Sequence, residues 1–396
     1  MAGCPNSKRI AELVTKQLLK LASDKLNCEI LYTYKLEPKK AFPNLRALLR
    51  NFVGTYHVVL AKNILDRKKP NIVVVGDDGG INASIIKLAK LRNIPTLAIQ
   101  VGMLSERKRR DFTYIFRWRN YLLWRILALI AENYLISKIL ILIRWRTRVL
   151  EWGLNGADII AVMGEYYKNL LIRRGVPPNR IVVIGYVLMD TFANSIPVLD
   201  KKRNSLYAKL KLKEDKMKIL FLSQPLVEDN ICTEDEYQNI LIRLTNILID
   251  KCQLIIKPHP REDLQKYDSL MSRFNGKLIL IKPTDNISLP ELIYSVDAVM
   301  TFQSTAGLLT LACRKPLIIL DILGTPYENI LKKYALTFSS ISKLSDFSAD
   351  MLRSLKDTFN YDIFIREHLY KLDGKSALRA AKLIINILQK REEFKR

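Results

Sequence analysis

The sequence predicts an α/β protein made of two doubly wound parallel-sheet domains that face each other across a cleft. Short apolar runs alternate with segments of helical periodicity along most of the 396 residues, and many of these runs end on glycine or small polar residues. This strand–helix–strand order indicates parallel pairing with right-handed crossovers. The length, with 49% hydrophobic and 26% charged residues, is sufficient for two separate cores.

The first domain is predicted over residues 1–200. Its expected helices span 10–26, 45–65 and 81–91, and its expected strands span 29–34, 72–75, 94–100, 157–164 and 180–185. A charged and irregular stretch over 197–218 predicts a linker. The second domain, over 215–375, has expected strands at 218–222, 253–257, 277–281, 298–302 and 316–320 and a helix at 308–313. The C-terminal part, 376–396, is expected to contain a final helix, with helical periodicity over 375–390, that packs on the first domain.

Residues 105–152 differ in kind from the rest of the first domain, because they contain all four tryptophans and a run of four basic residues. The apolar stretch 121–143 is interrupted by Arg125, Glu132 and Lys138, and such ionised groups make insertion into a bilayer costly. We expect amphipathic helices that lie in the membrane interface. The expected contact residues are Arg107, Lys108, Arg109, Arg110, Trp118, Trp124 and Trp145. The alternative is an ordinary helical hairpin that covers the sheet.

The net charge of +25 and the isoelectric point near 9.8 favour anionic partners, such as phospholipid head groups, nucleic acid or a phosphorylated substrate. The alternative is a lysine- and arginine-rich proteome in which these charges are solvated. Nucleic acid is disfavoured as the partner, since the aromatic residues sit among aliphatic ones. Five scattered cysteines without a CxxC pair indicate a reducing compartment, and the N-terminus lacks a secretory signal pattern. We therefore expect a cytoplasmic protein peripherally associated with the cytoplasmic membrane.

Two adjacent carboxylates, Asp77 and Asp78, follow the predicted strand 72–75 between two glycines. Catalytic groups of α/β enzymes commonly lie at this end of a strand. A carboxylate there can remove a proton from an acceptor hydroxyl, and neighbouring side chains point to different sides, so only one of the pair is expected in the cleft. The alternative is a helix cap, for which aspartate is favoured on structural grounds.

The segment Lys257-Pro258-His259-Pro260-Arg261 begins at the end of the predicted strand 253–257. The prolines restrict the backbone and orient His259, one of only three histidines. An imidazole can donate a hydrogen bond to a leaving phosphate or protonate it, and Lys257 and Arg261 add positive charge. The alternative is a histidine that caps its own turn.

Two hydroxyls, Ser304 and Thr305, lie between Gln303 and Gly307 where a strand leads into a helix. Hydroxyls and backbone N–H groups at a helix N-terminus can bind an anion without a metal. The alternative, a plain N-cap, explains one hydroxyl. Glu291 is a candidate for bonding a ribose, although an acid in the first turn of a helix is also an ordinary cap residue.

These motifs resemble those of bacterial sialyltransferases and polysialyltransferases. Asp77-Asp78-Gly79, His259-Pro260 and Ser304-Thr305 are similar to their D/E-D-G, H-P and S-S/T motifs, in the same order. The stretch 257–260 with Asp297 and Ser304-Thr305 also resembles capsule- and teichoic-acid-type transferases, including CDP-glycerol glycerophosphotransferases. Segments 94–102 and 156–190 are similar to the N-terminal domain of that wider GT-B group. The resemblance covers roughly residues 70 to 325.

The resemblance implies an inverting glycosyltransferase of GT-B architecture that needs neither a metal nor another cofactor. Its first Rossmann-like domain would bind a glycan or lipid-linked acceptor and its second a nucleotide-activated sugar. From the net charge and the 105–152 segment, we expect an anionic membrane surface and no nucleic acid as further partners. Asp78 or Asp77 would be the general base, and His259 would assist the leaving phosphate. The implied donor-binding residues are Ser223, Gln224, Lys257, Pro260, Arg261, Glu291, Gln303, Ser304, Thr305 and Gly307.

The chain departs from this pattern at Gln100-Val101-Gly102, where many relatives carry Gln-His-Gly. Three alternatives stay open on the sequence. Two are other enzymes on the same fold, a CDP-glycerol-type glycerophosphotransferase and a UDP-N-acetylglucosamine 2-epimerase. The third is a non-catalytic basic protein that binds membranes.

Overall fold

The chain folds into two units, each built around its own parallel sheet. The computed structural model describes residues 5–22, 26–31, 57, 59–76, 78–104, 152–274, 276–302, 304–323 and 330–393. One unit comprises Met1–Asp190 and Glu367–Arg396, and the other comprises Thr191–Arg366. The α/β class with two parallel-sheet domains, predicted from the alternation of apolar runs and helical segments, is confirmed.

The sheet of the first unit contains four parallel strands in the order β1-β2-β3-β4. Their bounds are β1 Val73–Val75, β2 Thr96–Ile99, β3 Ile159–Val162 and β4 Ile181–Val183. Each lies within a predicted apolar run, so these four strand predictions are confirmed. Residues 29–31 are not in a strand, contrary to the prediction, and 32–34 lie outside the described residues.

The sheet of the second unit contains six parallel strands in the order β10-β9-β8-β5-β6-β7. Their bounds are β5 Lys218–Leu222, β6 Gln253–Lys257, β7 Leu278–Leu280, β8 Ala298–Thr301, β9 Leu317–Leu320 and β10 Leu336–Phe338. The chain first extends the sheet from β5 to β7 and then continues on the opposite side of β5 from β8 to β10. This is the Rossmann strand order, and its direction reverses between β5 and β8. Five of the strands confirm predictions, and β10 was not expected.

The described helices surround these sheets. They are α1 Pro5–Ala22, α2 59–68, α3 Gly80–Leu91, α4 Glu165–Arg173, α5 Met189–Leu210, α6 Glu234–Leu248, α7 Asp268–Arg273, α8 Leu289–Ser295, α9 Ala306–Ala312, α10 Ala349–Thr358, α11 Tyr361–Phe364 and α12 Ser376–Glu393. Single turns of 3₁₀ type occur at Pro178–Arg180, Leu264–Tyr267, Pro283–Asp285, Ile330–Tyr334 and Ser342–Asp346, and a π-helical turn occurs at Ile365–Leu369.

The final helix α12 belongs to the first unit, where it packs against α1. Small residues on α12, among them Ala377 and Ala381, allow close approach to the apolar face of α1 that contains Ile10 and Val14. The amides of Ser376 and Ala377 donate to the Asp190 carboxylate at 2.9 and 2.7 Å, which satisfies two N–H groups at the start of α12.

The linker predicted over 197–218 is wrong for its first part, because helix α5 extends to Leu210. Pro197 lies inside this helix, and the basic residues Lys201, Lys202 and Arg203 that follow it are exposed. Leu199 and Leu206, seven residues apart, are both buried. The segment has the composition of a linker, but these two leucines share one face at helical spacing. Burial of that face stabilises the helix.

The segment predicted to contact a membrane lies almost entirely outside the described residues, as do all seven of its predicted contact residues, from Arg107 to Trp145. Among the residues that the structure describes, no helix is both long and apolar enough to cross a bilayer.

Candidate functional site

The candidate site lies at the carboxyl ends of β6, β5 and β8, which are neighbours in the second sheet. Leu222, the last residue of β5, is paired with Lys257 of β6 on one side and Thr301 of β8 on the other. Ser223, His259 and Ser304 therefore follow three adjacent strands at one edge. With strands about 4.8 Å apart, the ends of β6 and β8 are separated by about 10 Å. This edge includes the reversal between β5 and β8, where α/β proteins bind ligands.

The turn after β6 is fixed by hydrogen bonds to the end of β5. The amide of His259 donates to Ser223 Oγ at 3.0 Å and to Glu262 Oε2 at 2.6 Å. Ser223 also donates through its own amide to the carbonyl of Lys257 at 3.2 Å. The segment predicted to be rigid on account of its prolines is thus also tied to the neighbouring strand.

The half-buried imidazole of His259 has a defined tautomer. Its Nδ1 accepts a hydrogen bond from the amide of Arg261 at 3.2 Å, so in the neutral ring Nε2 carries the proton. Desolvation, followed by the positive charge of Arg261, holds the pKa of His259 below its ordinary value, and nearby carboxylates only partly oppose this. At neutral pH the ring is therefore a neutral Nε2–H donor.

A buried carboxylate that the sequence did not single out lies beneath this turn. Glu262 is 8% exposed, and its Oε1 accepts hydrogen bonds from the hydroxyls of Tyr237 at 2.9 Å and Tyr267 at 3.0 Å. Its Oε2 accepts from the His259 amide and the Ser223 hydroxyl. The sequence feature that points to such a carboxylate is Tyr237, because a tyrosine on the buried face of α6 needs a hydrogen-bond partner for its hydroxyl.

Ser223 is 4% exposed, and its hydroxyl is occupied by contacts within the protein. It bonds Glu262 and the carbonyl of Lys257 and accepts from the His259 amide. The Ser223 side chain therefore supports the turn, and its donor-binding role stays a prediction. Gln224, the next residue, is half-buried, and its carbonyl accepts from the Leu226 amide.

The cationic residues of the turn have different surroundings. Lys257 is half-buried, and desolvation lowers its pKa, while Asp285 acts in the opposite direction. Arg261 is exposed, and its guanidinium forms a bidentate pair with Asp229 at 2.8 and 2.9 Å. Pro260, between the imidazole and Arg261, is also exposed.

The hydroxyls after β8 are arranged differently from one another. Ser304 Oγ accepts from the amide of Ala306 at 3.1 Å and thereby closes the turn into α9, whereas Thr305 is exposed and its side chain does not cap the helix. Gly307 faces the core, where an added Cβ would lie 2.6 Å from Leu331 Cδ1. Gly307 is therefore a packing residue. Gln303 lies outside the described residues.

The Glu291 carboxylate is bound at the N-terminus of its own helix, α8, and by a lysine of helix α5. Its Oε2 accepts from the amide and hydroxyl of Ser288 at 2.9 and 2.7 Å in a capping box, and its Oε1 pairs with Lys202 at 2.5 Å. Although burial opposes ionisation, these donors lower the pKa of Glu291 to about 2. The cap alternative accounts for these contacts without a ribose.

In the first unit, Asp78 is 1% exposed, and its Oδ2 accepts from the amides of Gly153 at 2.9 Å and Asn155 at 3.4 Å. This carboxylate connects the end of β1 to the segment before β3. Asp77 lies outside the described residues. Gln100, which precedes the departure from the Gln-His-Gly pattern at Val101, bridges the ends of β2 and β3: its Oε1 accepts from Met163 N at 3.0 Å and its Nε2 donates to Gly102 O at 2.7 Å.

No group of three or more histidine, cysteine, aspartate or glutamate side chains with metal-binding geometry occurs within the described parts of the chain. The donor set at the candidate site consists of an imidazole, hydroxyls and amines. These groups suit an anion better than a divalent cation.

The sequence comparison decides the family resemblance. Residues 181–307 match the family model of alpha-2,8-polysialyltransferases. The matched segment contains the His259 turn and Ser304-Thr305, so the resemblance predicted from these motifs is confirmed. The expectation of an enzyme of the nucleotide-sugar glycosyltransferase type is confirmed with it. No curated protein matches the chain at a significant level.

Solved structures share the fold at low sequence identity. The S. aureus MnaA structure with UDP has a TM-score of 0.58 and 13% identity, and the match covers 96% of this chain and 95% of MnaA. The UDP-GlcNAc 2-epimerase from Neisseria meningitidis, bound to UDP-GlcNAc, has a TM-score of 0.53 and 14% identity, with 95% and 89% covered. The wall teichoic acid polymerase TagF matches more weakly, with a TM-score of 0.45 and 14% identity over 76% of this chain and 69% of TagF. The near-complete coverage by MnaA and the epimerase agrees with a GT-B-like fold of two parallel-sheet domains.

Proposed function

We propose that this protein is a metal-independent inverting glycosyltransferase. In this proposal it transfers a sugar from a nucleotide-activated donor to a glycan or lipid-linked acceptor, in the synthesis of cell-surface polysaccharide or glycoconjugate. The observation that carries the proposal is that the His259 turn and Ser304-Thr305 lie at the same edge of the second sheet, on the two sides of β5, inside the segment that matches polysialyltransferases. The solved neighbours that contain UDP and UDP-GlcNAc support a nucleotide-sugar ligand.

The chemistry of the donor site follows from the charge that develops on the leaving group. When the glycosidic bond breaks, the departing phosphate gains negative charge that must be stabilised. The neutral His259 presents Nε2–H as a hydrogen-bond donor, and the amine of Lys257 adds positive charge at the same edge. Ser304 and Thr305 complete the anion site from the other side of β5. These groups take the role that a divalent cation has in metal-dependent transferases.

For the acceptor, we assign the general base to Asp77. Asp78 is buried and its Oδ2 is bound by two backbone amides, which supports a role in holding the loop. Asp77 then remains as the carboxylate that removes the proton of the acceptor hydroxyl as its oxygen attacks the anomeric carbon. Asp77→Asn is expected to abolish transfer while leaving nucleotide affinity unchanged.

A UDP-GlcNAc 2-epimerase is the second candidate, because epimerases of this fold match nearly the whole chain. An epimerase converts the nucleotide sugar without an acceptor and leaves the nucleotide attached. The proposed transferase releases the nucleotide only when an acceptor is present. This difference in products separates the two activities.

The proposal is tested first by thermal stabilisation with CMP, CDP, UDP and GDP, because a ligand that binds the folded state raises Tm. The nucleotide that stabilises the chain identifies the donor class, and its sugar conjugate is then assayed for acceptor-dependent nucleotide release. His259→Asn is expected to lower this release by about 100-fold, in the range found for removal of one transition-state donor. His57→Asn makes the same change in the other unit and is the control. Equal rates in the two variants would contradict the proposed role of His259.

We also propose that the enzyme works at the cytoplasmic face of a membrane. The net charge of +25, together with the basic and tryptophan-rich sequence of 105–152, supports attraction to anionic lipid. A lipid-linked acceptor would be reached from this position.

A further inference from the structure

Glu262 has a place in the donor site that the proposed chemistry does not use. Its side chain is buried and contacts four donors on four segments: Tyr237 on α6, Tyr267 in the turn 264–267, Ser223 after β5 and the amide of His259. One carboxylate oxygen faces the two phenols, and the other faces the strand end and the histidine turn. The carboxylate therefore joins the helical layer to the site edge.

Burying the Glu262 carboxylate costs free energy. A buried carboxylate loses its hydration, and that loss is offset only where its oxygens are fully hydrogen-bonded. No cation forms an ion pair with Glu262 among the described residues; the nearby Lys266 is paired with Glu228 instead. Burial raises the pKa of both Tyr237 and Tyr267, so their hydroxyls stay protonated and act as donors. The carboxylate is oriented entirely by directional hydrogen bonds.

We propose that Glu262 is the positioning residue of the donor site: through Oε2 it holds the His259 amide and the Ser223 hydroxyl together, and so aims His259 Nε2–H at the leaving phosphate. This inference rests on the proposed function for the identity of the ligand. The geometric part does not depend on it. Glu262 itself acts only through His259 and Ser223.

The mechanism of positioning is a chain of short contacts. The prolines on either side of His259 limit rotation within the turn, but they do not fix where the turn lies relative to β5. The hydrogen bond from the His259 amide to Glu262 Oε2, at 2.6 Å, and the Ser223 hydroxyl that contacts both residues hold the turn in place relative to β5. A displacement of about 1 Å at a group that contacts a transition state is enough to lose much of its effect.

The test uses the nearly isosteric substitution Glu262→Gln in the full chain. A glutamine amide can turn its NH₂ group towards the two phenols, whose oxygens can accept from it, and keep its one acceptor oxygen towards His259 and Ser223. The His259 amide and the Ser223 hydroxyl then lose a charged acceptor, so their hydrogen bonds become weaker and longer. Glu236→Gln is the matched control, because Glu236 is an exposed cap residue on the same helix as Tyr237. Ser223→Ala is a second variant that removes the shared hydroxyl and leaves the carboxylate.

The first measurement is the ¹⁵N spectrum of the three histidine rings, with His259 assigned by its loss in His259→Asn. We expect wild type and Glu236→Gln to show a single Nε2–H tautomer at His259. Glu262→Gln is expected to show a mixture of tautomers, and Ser223→Ala a smaller change in the same direction. A purely structural role would alter stability without changing the tautomer of a folded chain.

The second measurement is the dissociation constant for CMP, CDP, UDP and GDP. For whichever nucleotide binds wild type, Glu262→Gln is expected to weaken binding about tenfold, the equivalent of one hydrogen bond lost, and Glu236→Gln less than twofold. A folded Glu262→Gln chain with wild-type ring spectrum and affinity would overturn the positioning role. A wild-type chain that binds none of the four nucleotides would instead contradict the proposed function, while the ring spectra would still decide the geometry.

Discussion

At the scale of single residues, His259 illustrates how backbone contacts determine what a side chain can do. The amide of Arg261 occupies Nδ1, and the amide of His259 is itself bound by Ser223 and Glu262. The ring is left with its Nε2–H directed away from these contacts. At neutral pH the neutral ring of fixed tautomer can therefore donate a hydrogen bond through Nε2–H.

The pKa of His259 gives a prediction with a definite sign. Arg261 is the second cause of its depression, after desolvation, and the carboxylates of Glu262, Asp229 and Glu228 act in the opposite direction. Arg261→Gln removes the cation and leaves both the desolvation and those carboxylates, so the pKa of His259 should rise towards its ordinary value. Histidine ring NMR over a pH titration measures this value. Arg353→Gln, which removes an exposed arginine paired with Asp350, should leave it unchanged.

The lowered pKa of His259 also affects stability. An unfolded chain binds a proton at this histidine near pH 6.5, above the value for the folded chain, so protonation favours unfolding. The contribution of His259 to the free energy of unfolding is therefore complete above pH 6.5 and declines as the pH falls from there to the folded pKa. His259→Asn should flatten this part of the curve of urea unfolding against pH. An unchanged curve would contradict the direction of the shift.

Gly164 is a residue at which an added methyl group has no room. A Cβ at this position would lie 2.1 Å from the backbone oxygen of Glu367, which cannot move as a side-chain tip can. Gly164→Ala should lower the free energy of unfolding by about 3 kcal/mol, the upper part of the range for overpacking. Gly102→Ala is the control, since its Cβ would meet nothing within 4 Å. Urea denaturation distinguishes the two, and equal stabilities would show that the 367–368 backbone is not packed on Gly164.

At the scale of elements, Asp190 connects two distant parts of the chain. Its carboxylate is buried and caps α12, which begins 186 positions later in the sequence. Asp190→Ala leaves two amides without acceptors and should cost about 2 kcal/mol of unfolding free energy, as loss of a strong helix cap does. Asp215→Ala, at an exposed turn, should change stability by less than about 0.5 kcal/mol. A small effect for both variants would show that α12 does not depend on this cap.

The success and failure of prediction for individual elements have physical causes. Buried parallel strands are continuous apolar runs, so nine of the ten strands in the described parts of the chain could be located from the sequence. Strand β10 has only three residues, and one of them, Thr337, is exposed, which leaves too weak an apolar signal. Helix α5 was missed because its charged residues and Pro197 outweigh two buried leucines.

The site was predictable only where its residues are close in sequence. The His259 turn and Ser304-Thr305 form local motifs, and strand order places them at one edge. Glu262 could not be recognised, because three of its four partners lie on other segments, at Ser223, Tyr237 and Tyr267. The buried positions of Ser223 and Gly307 likewise depend on tertiary packing.

At the scale of the whole molecule, the two units divide the proposed work. The proposed donor-site residues all belong to the second unit, whereas Asp77 and the basic tryptophan-rich segment belong to the first unit. Nucleotide binding should therefore survive changes to the first unit that abolish transfer or membrane attachment. This separation allows each proposed activity to be measured independently.

The net charge of the molecule leads to a prediction about membranes. Basic residues near an anionic surface each contribute about 1 kcal/mol of attraction, and tryptophans anchor in the interface. Replacing Arg107, Lys108, Arg109 and Arg110 by glutamine should weaken binding to phosphatidylglycerol-containing vesicles at least about tenfold. Replacing four exposed lysines of the second unit, Lys213, Lys216, Lys277 and Lys343, lowers the formal net charge by the same amount, from +25 to +21, and is the control.

Vesicle sedimentation at low and high salt tests whether the position of these charges matters. The control variant should bind as wild type does, because its charges lie outside the aromatic segment, and all binding should weaken with salt as the surface potential is screened. Vesicles of phosphatidylcholine alone should bind little of any variant. Equal weakening in both variants would mean that attraction depends on total charge and not on the 105–152 segment. Stronger binding to RNA than to vesicles would identify nucleic acid as the anionic partner and contradict the membrane proposal.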